Sequence, residues 1–94
     1  MPALLIRQKV EDYAAWKARF DDDAIARRAH GSQGGRFFLR AGVPNELFIL
    51  LEWDDLDRAR LFAASDDFRE ALAAAGVADD PDIWFLDTMS QLEV

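Results

Sequence analysis

Gln8 interrupts the apolar face that Leu4, Ile6 and Val10 form at alternate positions. A side-chain amide on such a face has to find a partner, because burying one unpaired costs about 1–3 kcal/mol. It either orients a ligand carbonyl or bonds backbone or a buried water, and it is the best single marker of a pocket in this chain. Trp16, Trp53 and Trp84, with Tyr13, supply rings on which a planar ligand can stack. Core and interface packing is the plainer explanation of the same rings. His30 is the only histidine. It is a candidate base or ligand near a pocket mouth, or an exposed residue in a last helical turn, where the dipole favours a cation. The pocket candidates are therefore Gln8, Trp16, His30 and Trp53, and none is assigned a catalytic role.

Other chemistries are poorly represented. Carboxylates cluster at Asp21-Asp22-Asp23, Asp54-Asp55-Asp57, Asp66-Asp67 and Asp79-Asp80-Asp82. Paired carboxylates can do acid–base work or hold calcium, but none of these has the spacing of a calcium loop. Most stand where a helix begins, as capping and the dipole require. One histidine and no cysteine argue against a metal site, and cysteine's absence removes disulfides and thiol nucleophiles. Gly34-Gly35 is too short for a phosphate cradle. Ser32, Ser65 and Ser90 lack a nucleophile-elbow context.

The 94 residues make one domain, 1–94, and 51% of them are hydrophobic, so the chain folds rather than stays disordered. A net charge of −7 opposes binding to nucleic acid or to anionic membrane surfaces. The first residues reach Arg7 too soon for a signal peptide, and no apolar run approaches the ~20 residues of a membrane helix. A cytoplasmic protein is expected.

The elements that must position these residues follow the order β-α-β-β-α-β. Ala3 to Val10 reads as a strand with Leu4, Ile6, Gln8 and Val10 on one face and Leu5, Arg7 and Lys9 on the other. Asp12 caps a helix in which Tyr13, Trp16, Phe20 and Ala24 recur at helical spacing. Asp21-Asp22-Asp23 kinks or restarts it, and Gly31 stops it. Ser32 to Gly35 reads as a loop, and Arg36 to Arg40 as a second strand. Gly42 to Glu46 is a turn. Leu47 to Trp53, apolar on both faces, is a third strand, hairpinned to the second. Asp54 or Asp55 caps a helix with the stripe Leu56, Ala59, Phe62 and Ala63. Ser65 restarts it toward Phe68, Ala71, Leu72 and Ala75, and Gly76 ends it. Asp79 to Asp82 is a loop, and Ile83 to Leu86 is the last strand, running on toward Met89 and Leu92.

Right-handed crossovers interlock the two βαβ halves as an antiparallel sheet of order 4-1-3-2, a ferredoxin-like α+β domain with both helical regions on one face. The other face carries some of Phe38, Phe48, Leu50, Trp84 and Leu86, or their opposite-parity neighbours. Left in water it would be an interface-like apolar patch. A homodimer through the sheet faces is expected, with Leu5, Arg7, Lys9, Arg36, Arg40 and Glu52 on or around the seam.

The stretch Val10-Glu11-Asp12-Tyr13-Ala14-Ala15-Trp16-Lys17-Ala18-Arg19-Phe20-Asp21 resembles small bacterial proteins of the antibiotic biosynthesis monooxygenase-like group. So do Gly31-Ser32-Gln33-Gly34-Gly35-Arg36, Pro44-Asn45-Glu46, Glu52-Trp53-Asp54-Asp55-Leu56 and Pro81-Asp82-Ile83. The group belongs to the dimeric α/β-barrel superfamily, and some members carry the name cyclase by transfer. The resemblance spans essentially the whole chain. It implies a ferredoxin-like fold paired through its sheets. It also implies a pocket between sheet and helices where, in the family's enzymes, an aromatic polyketide is oxidised without metal or flavin, so no cofactor is expected. Other branches degrade haem or act on small signalling molecules. Close relatives often carry His where this chain has Gln8, which removes one proton-transfer group. The haem-degrading branch uses an Asn, Trp and His constellation, and this first strand has no Asn. Two functions stay open. One is a cofactor-independent monooxygenase- or isomerase-like enzyme acting on a small hydrophobic or aromatic molecule. The other is a non-catalytic small-molecule-binding or dimeric interaction module, which the poverty of titratable pocket residues favours.

Overall fold

Alternation along Ala3–Lys9 (β1) sorts the sheet into two faces: Leu4, Ile6 and Gln8 are buried, while Leu5 and Arg7 are only half-buried. Strand β3, Glu46–Trp53, pairs with β1 antiparallel, placing Leu51 beside Leu4, Ile49 beside Ile6 and Leu47 beside Gln8. Strand β4, Asp82–Leu86, adds Phe85 and Ile83 on the other side of β1, and β2, Ser32–Leu39, flanks β3. The strand order is β2-β3-β1-β4, the 4-1-3-2 order expected from the sequence. This computed structural model describes residues 1–74 and 80–89.

Helices cover one face only. Asp12 accepts the N–H groups of Ala14 and Ala15 at 2.9 and 3.3 Å and starts α1, Tyr13–Asp22. Asp23 breaks the helix, and α2 resumes as Ala24–Ala29, the restart that the aspartate run implied. Gly31 then turns the chain with φ +112°, which L side chains rarely adopt. A Cβ there would also run into Asp54 and Trp53. Asp55, rather than Asp54, caps α3, Leu56–Ala63, by accepting the N–H of Asp57. Ser65 does the same for Phe68 at 3.1 Å in α4, Asp66–Ala74. The core is the closed face of β1 and β3 with Trp16, Ala59, Phe62 and Phe68 of the helices.

Residues 32–35 depart from the sequence reading. They belong to β2, with an irregular register between Ser32 and Gly34. Their glycines look like a loop, but at Gly35 a Cβ would lie 2.0 Å from the Leu50 carbonyl oxygen. Glycine here permits close strand approach rather than a turn. The expected helix stop at Gly76, the loop start at Asp79 and the extension to Leu92 lie outside the described residues.

The face of the sheet away from the helices carries Leu5, Phe48 and Leu50, half-buried, and Phe38, Trp84 and Leu86, exposed. Among the described residues no helix is long and apolar enough to cross a membrane.

Candidate functional site

The helices do not seal fully onto the sheet. A cavity of about 190 Å³ remains between them, floored by Ile6, Gln8, Ile49 and Leu51. Trp16 and Phe20 of α1 line one side, and Phe62 of α3 with Phe68 of α4 the other. Each wall is an aromatic cluster. Trp16 stacks on Phe20 at 5.1 Å, and Phe37 meets both edge-on at 5.4 and 4.7 Å. Across the cavity Phe62 packs on Trp53 at 5.0 Å and on Phe68 at 5.2 Å. Such clusters hold rings in fixed orientations, so the walls are preformed for a flat apolar molecule.

The floor has one polar feature. Gln8 is 2% exposed, and its Oε1 has no hydrogen-bond partner among the described residues. Native proteins rarely leave a buried carbonyl unpaired, and each exception calls for a missing partner. Oε1 accepts and cannot donate, so that partner is an O–H or N–H donor.

Charge gathers on the helical part of the lining. Arg19 pairs with Asp23 at 3.1 Å. Arg27 stacks on Phe20, with its guanidinium carbon 3.4 Å from the ring centroid, and donates to the Phe20 carbonyl at 2.5 Å. Burial lowers the pKa of Arg27 more than the nearby Asp23 and Asp21 raise it. Asp67 also lines the cavity, and its carboxylate stands 3.6 Å from His30 Nε2.

Of the four pocket candidates, Gln8 and Trp16 line the cavity, while Trp53 and His30 lie outside its lining. Trp53 is fully buried beneath Phe62, and its Nε1 donates to the His30 carbonyl at 3.0 Å, so its polar edge is already used. His30 is half-exposed at the end of α2 and meets the lining at Asp67 and at the Phe62 ring, 5.5 Å between centroids. Sequence reasoning passed over Phe20, Phe62, Phe68 and Arg27 as lining residues. The phenylalanines sit on the apolar stripes of their helices, and a stripe does not show where its packing fails.

Most carboxylates behave as helix caps or surface partners: Asp12 and Asp55 cap, Asp21 pairs with Lys17 at 2.7 Å, and Asp54 pairs with Arg58 at 2.5 Å. Asp23 and Asp67 differ in lining the cavity. Among the described residues no group of three His, Asp or Glu is placed to hold a metal.

A second buried polar residue lies on the opposite face. Glu46 is 4% exposed and is clamped by Arg7 Nε at 3.1 Å and Arg40 at 3.2 Å. Burial pushes its carboxyl pKa up. Hydrogen bonds and charge from the two arginines pull it down further, leaving it below the ordinary value.

No family model matches the sequence, and no curated protein matches it. Solved structures match its fold. SnoaB, a cofactor-independent oxygenase from Streptomyces nogalater, superposes with a TM-score of 0.77 at 16% identity, over 97% of this chain and 95% of that one. A Bordetella bronchiseptica protein named provisionally as an antibiotic biosynthesis monooxygenase gives 0.77 at 18%, over 95% and 97%. A Caulobacter crescentus protein named in the same way gives 0.74 at 21%, over 95% and 90%. The architecture is thus the ferredoxin-like fold of the antibiotic biosynthesis monooxygenase-like structures, matched over nearly the whole chain.

Proposed function

We propose that the cavity receives a small hydrophobic, ring-bearing molecule with a hydroxyl or N–H group, and that the chain is a cofactor-independent enzyme of the oxygenase or isomerase kind. The orphaned carbonyl oxygen of Gln8, set in an apolar and aromatic cavity, carries this reading. A ligand donor supplies its missing partner while the rings hold the remainder. The fold likeness to a cofactor-independent oxygenase supports the reaction class. Such a reaction leans on the substrate's own acidity, since the deep polar group is an amide. Its proton leaves by way of Asp67 and His30. The active form is a homodimer paired through the open sheet face, which covers Phe38, Trp84 and Leu86.

That same amide favours a second reading, a non-catalytic binder, because an amide neither takes nor gives a proton at neutral pH. Native mass spectrometry of the freshly purified protein tests the shared part. A dimer that carries a small molecule, and loses it in Gln8→Leu, supports the site. Equal ligand mass in Gln8→Leu removes Gln8 from it, and a monomer removes the pairing. Incubating the eluted molecule with protein and oxygen then separates the readings: a changed product means an enzyme, and unchanged recovery means a binder.

A further inference from the structure

We infer that the cleft between α2 and β2 is an anion-reading subsite, which takes the carboxylate of an aromatic acid whose ring lies in the main cavity. The inference rests on the cavity being a ligand site. The cleft has a volume of about 420 Å³ and shares Phe20, Arg27 and Leu51 with the main cavity, so the two adjoin. Its own lining adds the polar side chains of Arg28, Ser32 and Gln33 to the apolar Ala24 and Phe37, with Gly34 and Gly35 contributing no side chain.

The arginines are the unusual part. Acids outnumber bases 18 to 11 in this chain, so a cation normally finds a carboxylate. Arg7, Arg19, Arg40, Arg58, Arg60 and Arg69 each do so within 4 Å. Arg27 and Arg28 form no ion pair among the described residues. Asp23 and Asp21, whose charges reach Arg27, are themselves paired with Arg19 at 3.1 Å and Lys17 at 2.7 Å. Arg36 is likewise without a carboxylate, but it lies over Phe38 on the far face of the sheet. The Ser32 hydroxyl, also in the cleft, makes no hydrogen bond among the described residues.

Guanidinium groups match a carboxylate in geometry and charge, and a hydroxyl adds a further donor. The net charge of −7 does not cancel this. At 0.1 M salt, charges more than about 10 Å away are largely screened, so a bound anion responds to the arginines beside it.

The test compares two probes sharing one ring system, 2-naphthol and 6-hydroxy-2-naphthoate, by isothermal titration calorimetry at pH 7.5. Both offer a hydroxyl to Gln8, and only the second carries a carboxylate at its far end. The wild-type protein is expected to bind the naphthoate about tenfold more tightly. In Arg28→Gln, an exposed position where folding is not at risk, that ratio falls at least threefold, and Arg28→Lys recovers part of it. Equal affinity for the two probes in wild type, or an unchanged ratio in Arg28→Gln, overturns the subsite while leaving the cavity reading intact. Binding of neither probe overturns both.

Discussion

The two faces of this sheet follow the same alternation and come to opposite ends. On the helix side, β1 and β3 bury Leu4, Ile6, Leu47, Ile49 and Leu51 almost completely. On the other side Leu5, Phe48 and Leu50 stay half-buried, with Trp84 44% exposed. Among the described residues each face also buries one polar residue, and the contrast between those two is instructive. Glu46 is clamped by Arg7 and Arg40 and completes the strand ends that hold it. Gln8 lies opposite Leu47, the chain neighbour of Glu46, yet its carbonyl has no partner among the described residues. A satisfied buried polar group is explained by the fold. An unsatisfied one beside a cavity is explained, in the function proposed above, by what enters.

Adjacent positions on β3 offer the harshest way to break this comparison. Ile49→Glu forces a carboxylate into the closed face at a cost above about 4 kcal/mol, a large share of the 5–15 kcal/mol that ordinarily holds a domain together. Circular dichroism should show an unfolded chain. Leu50→Glu, one residue on, points to the open face and should leave a folded monomer by light scattering. If both variants unfold, the faces are not distinct. If Leu50→Glu remains a dimer, pairing does not use this face.

Next in size, the two tryptophans separate core from cavity. Trp53→Ala should lower stability by about 3–5 kcal/mol in urea titrations. Trp16→Ala should cost less, because part of its ring faces cavity space rather than packed atoms. Equal losses would mean that the cavity is filled by the protein itself.

Gln8→Leu should leave stability unchanged or raise it by about 1 kcal/mol, since it removes an orphaned acceptor. Binding of 2-naphthol should nevertheless weaken by about tenfold. A clear loss of stability would show that the amide has a partner within the protein.

The subtlest contrast is in pH. Glu46 has its pKa held below the ordinary 4.5, so its contribution is fully present above that value and is lost as pH falls through the lowered one. Glu46→Gln should therefore be less stable than wild type at pH 7. The gap should narrow below pH 4.5 and close once the wild-type carboxyl is protonated. A constant gap from pH 7 to pH 3 would mean that the clamp does not depend on the charge.

Much of the architecture was legible beforehand. Alternation in Ala3–Lys9 and Glu46–Trp53, the caps at Asp12 and Ser65 and the break at Asp21-Asp22-Asp23 are local signals, and local signals survive folding. The strand order followed from crossover handedness. Residues 32–35 misled because a glycine that permits close strand approach looks in sequence like a glycine that permits a turn. Gln8 was conspicuous, but its missing partner was not, since a hydrogen bond is a property of neighbours in space.

The sequence by itself determined which residues face which side of the sheet, because a side chain's parity on a strand follows from the backbone. It also determined where the helices start and break. Only the tertiary structure decided that α1 and α4 leave a gap over Gln8, that Trp53 turns its nitrogen to the His30 carbonyl, and that Arg27 and Arg28 line one cleft without an ion pair among the described residues. These outcomes depend on how separately specified elements meet, and packing at a junction is set by the shapes of all the side chains there together, which no periodicity records.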